Sequence, residues 1–478
     1  MSRRVRTAAA LCCASLLLAG CASVSPDGMR GSVGGLVGPR IGVEAPLAPP
    51  GADADAAVDA LLRAPLTEEA AVRIALLQGP ALQASLAALG IAEADRVQAS
   101  RLPNPVFSIA RLAEGSEREI ERSLAISLLG VLTLPWRAEL AGRQLEAARL
   151  QTALDVVRLA AEVRRAWIRA VAAAQSAAAA ERLQEASEAG AELARRMART
   201  GNWSTLQQAR QQLALAESAA GLARARQAAV REREALTRLL GLWGGRTDYR
   251  LPDRLPGLPG PEALTDGATV ESAALRERLD VRGALVRNRR YAASLGYVRA
   301  VGYLDGLDIG YRRDVTTDRA DGGRSVQQGW RLAVPVPVFD WGGARRARAR
   351  ALYLQSAAQV GAVAVRARSE ARAAWLAWRT AYDLARSQRD EVVPLRSHIA
   401  DETVLRYNGM LVSVWEVLAE ARASLAAVDA ATAAERDFWL ADTDLRLALT
   451  GGSPDPSGPA DASAPAAPLP STLPSAGH

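Results

Sequence analysis

The chain has 478 residues, of which 23% are charged and only 4% aromatic, and a formal net charge of +7. That charged share is ordinary for a folded protein and argues against wholesale disorder. So few aromatic rings argue against one large globular core, and the alanine-dominated apolar fraction suits helices packed closely side by side. Arg3, Arg4 and Arg6 belong to a leader, so the exported chain carries about +4 by 7 − 3, too small an excess to point to nucleic acid.

Residues 1–20 read as a signal peptide. After the arginines, residues 8–19 form an apolar stretch too short to cross a bilayer as a mature helix. It ends in Leu18-Ala19-Gly20-Cys21, which resembles the lipobox of bacterial lipoproteins. The resemblance implies cleavage before Cys21, a thioether-linked diacylglycerol on its sulfur and an acyl chain on its new amine. The alternative is a plain secretory peptide in which the cysteine falls by chance. Ala22 stands where an Asp would be the usual inner-membrane retention signal, which favours the outer membrane. Cys12 and Cys13 leave with the leader, so no free thiol is expected in the mature chain.

Residues 21–65 are rich in Gly, Pro and Ala with little periodicity and read as a lipidated tether. Residues 452–478 read as a disordered Pro/Ala/Ser tail. Between them one plan occurs twice. The first copy, residues 66–243, opens with a helix at 67–102, where Thr67 caps and Glu68 and Glu69 supply an acidic first turn. Strand-like stretches follow at 106–112 and 122–134, then a long helix at 138–199, a break at Thr200-Gly201-Asn202 and a helix at 204–242. Residues 244–269 link the copies. The second copy, residues 270–451, has a helix at 270–298, strands at 304–312 and 327–338, a long helix at 344–407, a break at Asn408-Gly409 and a last helix to Gly451. Pro135 and Pro337 are 202 residues apart, as are Arg143 and Arg345, and Gly201 and Gly409 are 208 apart. Matching elements in matching order mean an internal duplication.

The strand reading rests on alternation. Val326, Gln328, Trp330, Leu332, Val334, Val336 and Val338 share one largely apolar face, and Gln327, Gly329, Arg331, Ala333 and Pro335 share a wetter one. That is the pattern of a membrane barrel strand. Trp136, Tyr303, Trp330 and Trp341 fall near strand ends, as an aromatic belt requires. A small soluble β-meander remains the alternative. The helices show stripes at three- and four-residue spacing: Val156, Leu159, Val163, Trp167 and Val171; Leu206, Ala209, Leu213, Ala216, Ala220 and Ala223; and Val414, Leu418, Ala421, Leu425 and Val428. These predict antiparallel coiled-coil packing across each turn. Four strands cannot close a barrel, and open sheet edges in lipid leave backbone groups unpaired at several kilocalories each. Strands must then be pooled with identical neighbours, and three chains would give twelve, enough to leave a lumen.

Here the sequence resembles the TolC-type outer-membrane factor family, the outer-membrane efflux lipoproteins. The resemblance covers residues 67–451. Its carriers are Pro337-Val338-Phe339-Asp340-Trp341-Gly342-Gly343 with Arg345, then Arg406-Tyr407-Asn408-Gly409 followed by Ser413, Glu416-Val417-Leu418 and Ala421. It implies a mainly α fold with a membrane β portion, in which two tandem helix-strand-strand-long helix-helix repeats trimerise into a 12-stranded β-barrel continuous with a periplasmic α-helical barrel. It implies a homotrimer in outer-membrane lipid, lipid-anchored with a large periplasmic portion. A periplasmic adaptor (membrane fusion protein) and an inner-membrane pump of the RND type are the implied partners.

Gly201 and Gly409 are read as permitting left-handed turns between helices. The resemblance adds an adaptor-docking role for Arg199, Thr200, Gly201, Tyr407, Asn408, Gly409 and Leu411. It also implies a pore constriction at Glu416 and Glu420, for which a solvated helix face is the plainer alternative. Gln207 and Gln208 occupy the corresponding place in the first copy. No cofactor is expected beyond the lipid on Cys21, and no metal site or catalytic centre: outside the leader there are two histidines, His398 and His478, no phosphate-cradling glycine loop and no nucleophile elbow. The expected function is the passive exit duct of a tripartite efflux system. The alternative is a lipid-anchored periplasmic coiled-coil adaptor or scaffold without a pore. Nothing in the sequence names the cargo.

Overall fold

The computed structural model describes residues 23–454 except 45, 46, 48, 50, 116, 304, 305 and 319. The leader, Cys21 and residues 455–478 of the tail lie outside the described residues. Helices α1 (Arg30–Ile41), α2 (Ala52–Leu61), α3 (Glu68–Gln78) and α4 (Pro80–Ala99) precede strands β1 (Val106–Glu114) and β2 (Glu117–Ser127). A one-turn helix α5 (Leu128–Leu132), the long α6 (Leu134–Arg199) and α7 (Thr205–Leu240) complete the first copy. The second copy comprises α8 (Val270–Glu277), α9 (Leu279–Val301), β3 (Asp308–Asp318), β4 (Arg324–Ala333), α10 (Gly343–Ser387), a π-turn (Gln388–Val392), α11 (Val393–Asn408) and α12 (Val414–Thr450).

The duplicated plan is present, with three differences of detail. The helix expected at 67–102 breaks at Gly79, where Pro80 opens α4 without an N–H to give, and the two pieces meet at 51°. The helix expected at 270–298 breaks at Arg278, because Leu279 N and Asp280 N both donate to the Gly451 carbonyl. The long helix of the second copy widens to a π-turn just before Pro394, whose ring and missing N–H do not fit a regular α-turn.

The strands also shift. β2 stops at Ser127, whose hydroxyl accepts from Gly130 N, while Leu128 N and Leu129 N donate to the Leu307 carbonyl. The stretch to residue 134, expected as strand, is therefore helical from residue 128. β3 runs to Asp318, six residues past its expected end at 312, and β4 starts at Arg324 rather than 327. The four strands form one antiparallel sheet in the order β1-β2-β3-β4, so β1 and β4 are bare edges.

The segment 21–65, expected as a tether, is a correction. Val33, Val37 and Ile41 recur every four residues along α1 and are buried against α6, and Val58 of α2 is buried as well. Ser25 N and Oγ donate to the two oxygens of buried Glu93, at 2.9 and 2.8 Å. The Arg164 guanidinium ties the end of α1 to α3, donating to the Ile41 carbonyl and pairing with Glu68 at 2.8 Å. Gly and Pro content hid this periodicity.

The core surrounds α6 from Leu145 to Ala172. Val156, Val163, Trp167 and Val171 are buried there, as their spacing predicts. At 66 residues α6 is about 100 Å long. The long helices lie side by side in the order α7, α6, α12, α10–α11. Where the second copy meets this layer, Arg278 is fully buried and bonded to Asp280 at 2.7 Å and Glu370 at 2.9 Å, and Ser453 Oγ donates to Glu370 at 2.8 Å. Burial works against its charge, but the two carboxylates more than offset that and hold its pKa above the ordinary value. The variant R278A leaves both carboxylates without their cation and should lower stability by about 3 kcal/mol in chemical denaturation followed by circular dichroism. R226A, which breaks the exposed bridge to Glu181, should change it by less than about 1 kcal/mol.

Candidate functional site: sheet, helix flanks and turns

The register divides the sheet residues cleanly. Ile126, Ile309 and Leu332 share one face, followed outward by Phe107, Leu124, Tyr311 and Trp330, then by Ile109, Arg122, Arg313 and Gln328. Further out on that face lie Arg111, Ile120, Val315 and Val326, then Ala113, Arg118, Thr317 and Arg324. The other face holds Glu114, Glu117, Glu119, Glu121, Asp308, Asp314 and Asp318, with Arg312 and Arg331. Every acid of the strands is on this second face.

Large apolar side chains on the first face are bare: Phe107 is 64% exposed and Trp330 76%. Trp330 packs edge-on against Tyr311, with centroids 5.4 Å apart. The exposure continues down the exit from β4 through Val334, Val336 and Val338 to Phe339 and Trp341. There Asp340 fastens the turn, accepting from Gly342 N at 2.8 Å and from Arg345 at 3.2 Å. On the acidic face, oxygens of Glu119, Glu121 and Asp314 converge within 4.8 Å, but Arg312 bonds both Glu121 and Asp314 at 2.6 Å and fills the place a metal would take.

The helical layer is as open at its sides as the sheet. The stripe Leu206, Ala209, Leu213, Ala216, Ala220 and Ala223, expected to be the hairpin seam, is exposed along its whole length. The seam against α6 uses a neighbouring face, with Leu215, Ser218, Leu222, Ala225 and Ala229 partly buried. On the opposite flank Leu354, Val365 and Leu376 of α10 are exposed, eleven residues or three helical turns apart and so in line. Apolar stripes thus run down both flanks below both bare sheet edges.

At the far ends of the hairpins the two turns have the same construction. Gly201 has φ 75°, Gly201 N donates to the Ala198 carbonyl and Asn202 N to the Met197 carbonyl. In the second copy the left-handed residue is Met410, φ 59°, with Met410 N donating to Tyr407 and Leu411 N to Arg406. Gly409 has φ −81°, so its expected left-handed role belongs to its neighbour. The true repeat spacing at the turns is 410 − 201 = 209, not the 208 measured between glycines. Arg199 ends α6 and Asn408 ends α11; Thr200 caps α6, and Tyr407 and Leu411 are exposed. Trp203 and Trp415, missed as a pair in the sequence, stack with centroids 3.5 Å apart and lock the two turns together. Two isolated tryptophans beside turn residues were the available signal.

Spacing by 209 makes Ser204 and Gln207 the counterparts of Ser413 and Glu416, and both serines cap their helices. The Glu416 side chain is exposed in the first turn of α12. Glu420, one turn on, pairs with Arg396 at 3.7 Å.

No family model matches the chain, and no curated protein does either. Solved structures match along most of it. CusC, whose structures concern folding and transmembrane channel formation, aligns at 16% identity over 82% of this chain and 94% of that one, with a TM-score of 0.64. The chain has the fold of an outer-membrane channel. The CmeC outer membrane channel of Campylobacter jejuni aligns at 15% identity over 84% of this chain and 86% of that one, TM-score 0.62. The open state of the MtrE outer membrane channel of Neisseria gonorrhoeae gives 18%, 80% and 89%, TM-score 0.63. Among the described residues no single helix is long and apolar enough to cross a membrane.

Met410 holds a side chain where a left-handed backbone costs roughly 1–2 kcal/mol. The variant M410G should therefore raise thermal stability by about 1 kcal/mol, and G201A should lower it by about as much, both read from the unfolding midpoint.

Proposed function

We propose that this chain is one subunit of a trimeric outer-membrane duct, the passive exit of a tripartite efflux system. The observation that carries this reading is the pair of open flanks. Bare edge strands and exposed apolar helix stripes lie on both sides of one continuous layer, from the sheet to the hairpin turns. Complementary flanks on copies of one chain make a head-to-tail contact, which closes into a ring when the rotation between copies divides a full turn. Three copies contribute twelve strands, and closure removes every unpaired edge. The apolar face of the sheet then meets lipid, and the acidic face, with Arg312 among its carboxylates, lines the lumen. A periplasmic scaffold without a pore would leave that apolar face wet.

Lipidation at Cys21 fits this arrangement. Ser25 is held by Glu93, six residues before the end of the helix that leads into β1. The four residues from Cys21 to Ser25 span at most about 14 Å, which lets an acyl group reach the bilayer beside the barrel. At the opposite end, the turns around Gly201 and Met410, with exposed Tyr407 and Leu411, offer the docking surface for a periplasmic adaptor, itself coupled to an inner-membrane pump. Glu416 is the constriction carboxylate of this reading, because Glu420 is already matched by Arg396.

The purified, acylated chain should run as a trimer in native mass spectrometry and give stepwise, cation-preferring conductance in planar bilayers. The variant E416Q should reduce that cation preference more than E420Q. A monomer that stays in water and never enters micelles or bilayers would overturn the reading.

A further inference from the structure

The outward face of the sheet is not uniformly apolar, and its charges have one sign. Arg111, Arg118, Arg122, Arg313 and Arg324 all lie on it, and every acid of the strands lies on the other face. Arg122 and Arg313 are direct cross-strand partners and both are exposed. Like charges placed opposite one another across a sheet repel and destabilise it, so this pair calls for an anion. No carboxylate on the strands can reach from the other face to supply one.

The height of these arginines says which anion. Below them come Phe107, Leu124, Tyr311 and Trp330, then Ile126, Ile309 and Leu332, then the exit from β4 down to Trp341. From Trp330 to Val338 is eight residues, which in a tilted run cover at most about 20 Å of height. That is near the apolar thickness of an outer membrane, with aromatic residues at both limits, as membrane barrels have. The arginines begin two residues outward of Tyr311 and Leu124 and continue to the strand tips. They therefore stand at the headgroup level of the outer leaflet.

On this basis, and resting on the barrel reading above, we infer that the arginine belt binds the phosphate groups of an outer-leaflet lipid whose acyl chains lie along the Phe107–Leu124–Tyr311–Trp330 row. The planar guanidinium suits such phosphates, which it bonds through two parallel N–H groups. A bound phosphate between Arg122 and Arg313 also converts their repulsion into a bridge. Lipid would then hold β2 to β3 at the Arg122–Arg313 rung, between the apolar rungs Leu124–Tyr311 and Ile120–Val315.

The test uses the full acylated trimer in neutral detergent, titrated with diphosphorylated hexa-acyl lipid A and with the same lipid stripped of its phosphates, bound lipid being counted by native mass spectrometry. The phosphorylated lipid should bind at least about tenfold more tightly, and R122Q/R313Q should lose that preference. Equal binding of the two lipids overturns the inference, as does displacement of lipid A by millimolar inorganic phosphate, which would make the belt a general anion site. The comparison of the two lipids on the unsubstituted protein stands even where the double variant does not assemble. Conductance of the unsubstituted trimer in neutral-lipid bilayers tests the duct separately, so failure of one reading is distinguishable from failure of the other.

Discussion

A backbone amide in hydrocarbon has no water to fall back on, and four antiparallel strands leave two rows of amides unpaired. The rest of the molecule is arranged around that debt of hydrogen bonds. The sheet has bare β1 and β4 at its margins. The helices that continue from it keep the same openness, with Leu206 and Leu213 exposed on one side and Leu354 and Leu376 on the other. A chain folding alone would bury such stripes against itself. Here α7 turns another face to α6 and leaves its most regular stripe to the outside.

Rigidity of the single copy comes from elsewhere. From Leu145 to Ala172, α6 is enclosed by α1, α3 and α4, so the N-terminal segment clasps the shaft rather than trailing from it. Arg278 with Asp280 and Glu370 fastens the start of α9 to α10 within the second copy. Trp203 against Trp415 fixes the distal turns. Each of these joins elements far apart in sequence.

The duplication, the four strands, the long helices and the position of both turns were legible in the sequence, because proline, glycine and apolar spacing mark them directly. Less legible were the features in which one signal hides another. Val33, Val37 and Ile41 keep helical spacing, yet three glycines and Pro39 lie among them and suggest a linker. The outer halves of β2 and β3 are charged or polar except at Ile120 and Val315, so a pattern search for apolar alternation ends before the ladder does. The stripe on α7 was real, but periodicity tells only that a face is apolar, not which partner covers it. At the second turn, Gly409 drew attention from Met410, although the backbone bonds around Met410 repeat those around Gly201 one by one.

The widened turn at Gln388–Val392 has one more effect. The buried line along α10 runs Ala367, Ala371, Ala374, Trp378, Tyr382 and Ala385, and no residue of α11 is buried. An extra residue in one coil turns everything beyond it by about 100° about the helix axis. The four turns from there to Asn408 are thus out of phase with the shaft, and Leu395 and Leu405 stand exposed on them. The distal end of the second hairpin is therefore keyed differently from the first, so a ring built from this chain would present alternating, unlike teeth rather than six equivalent ones.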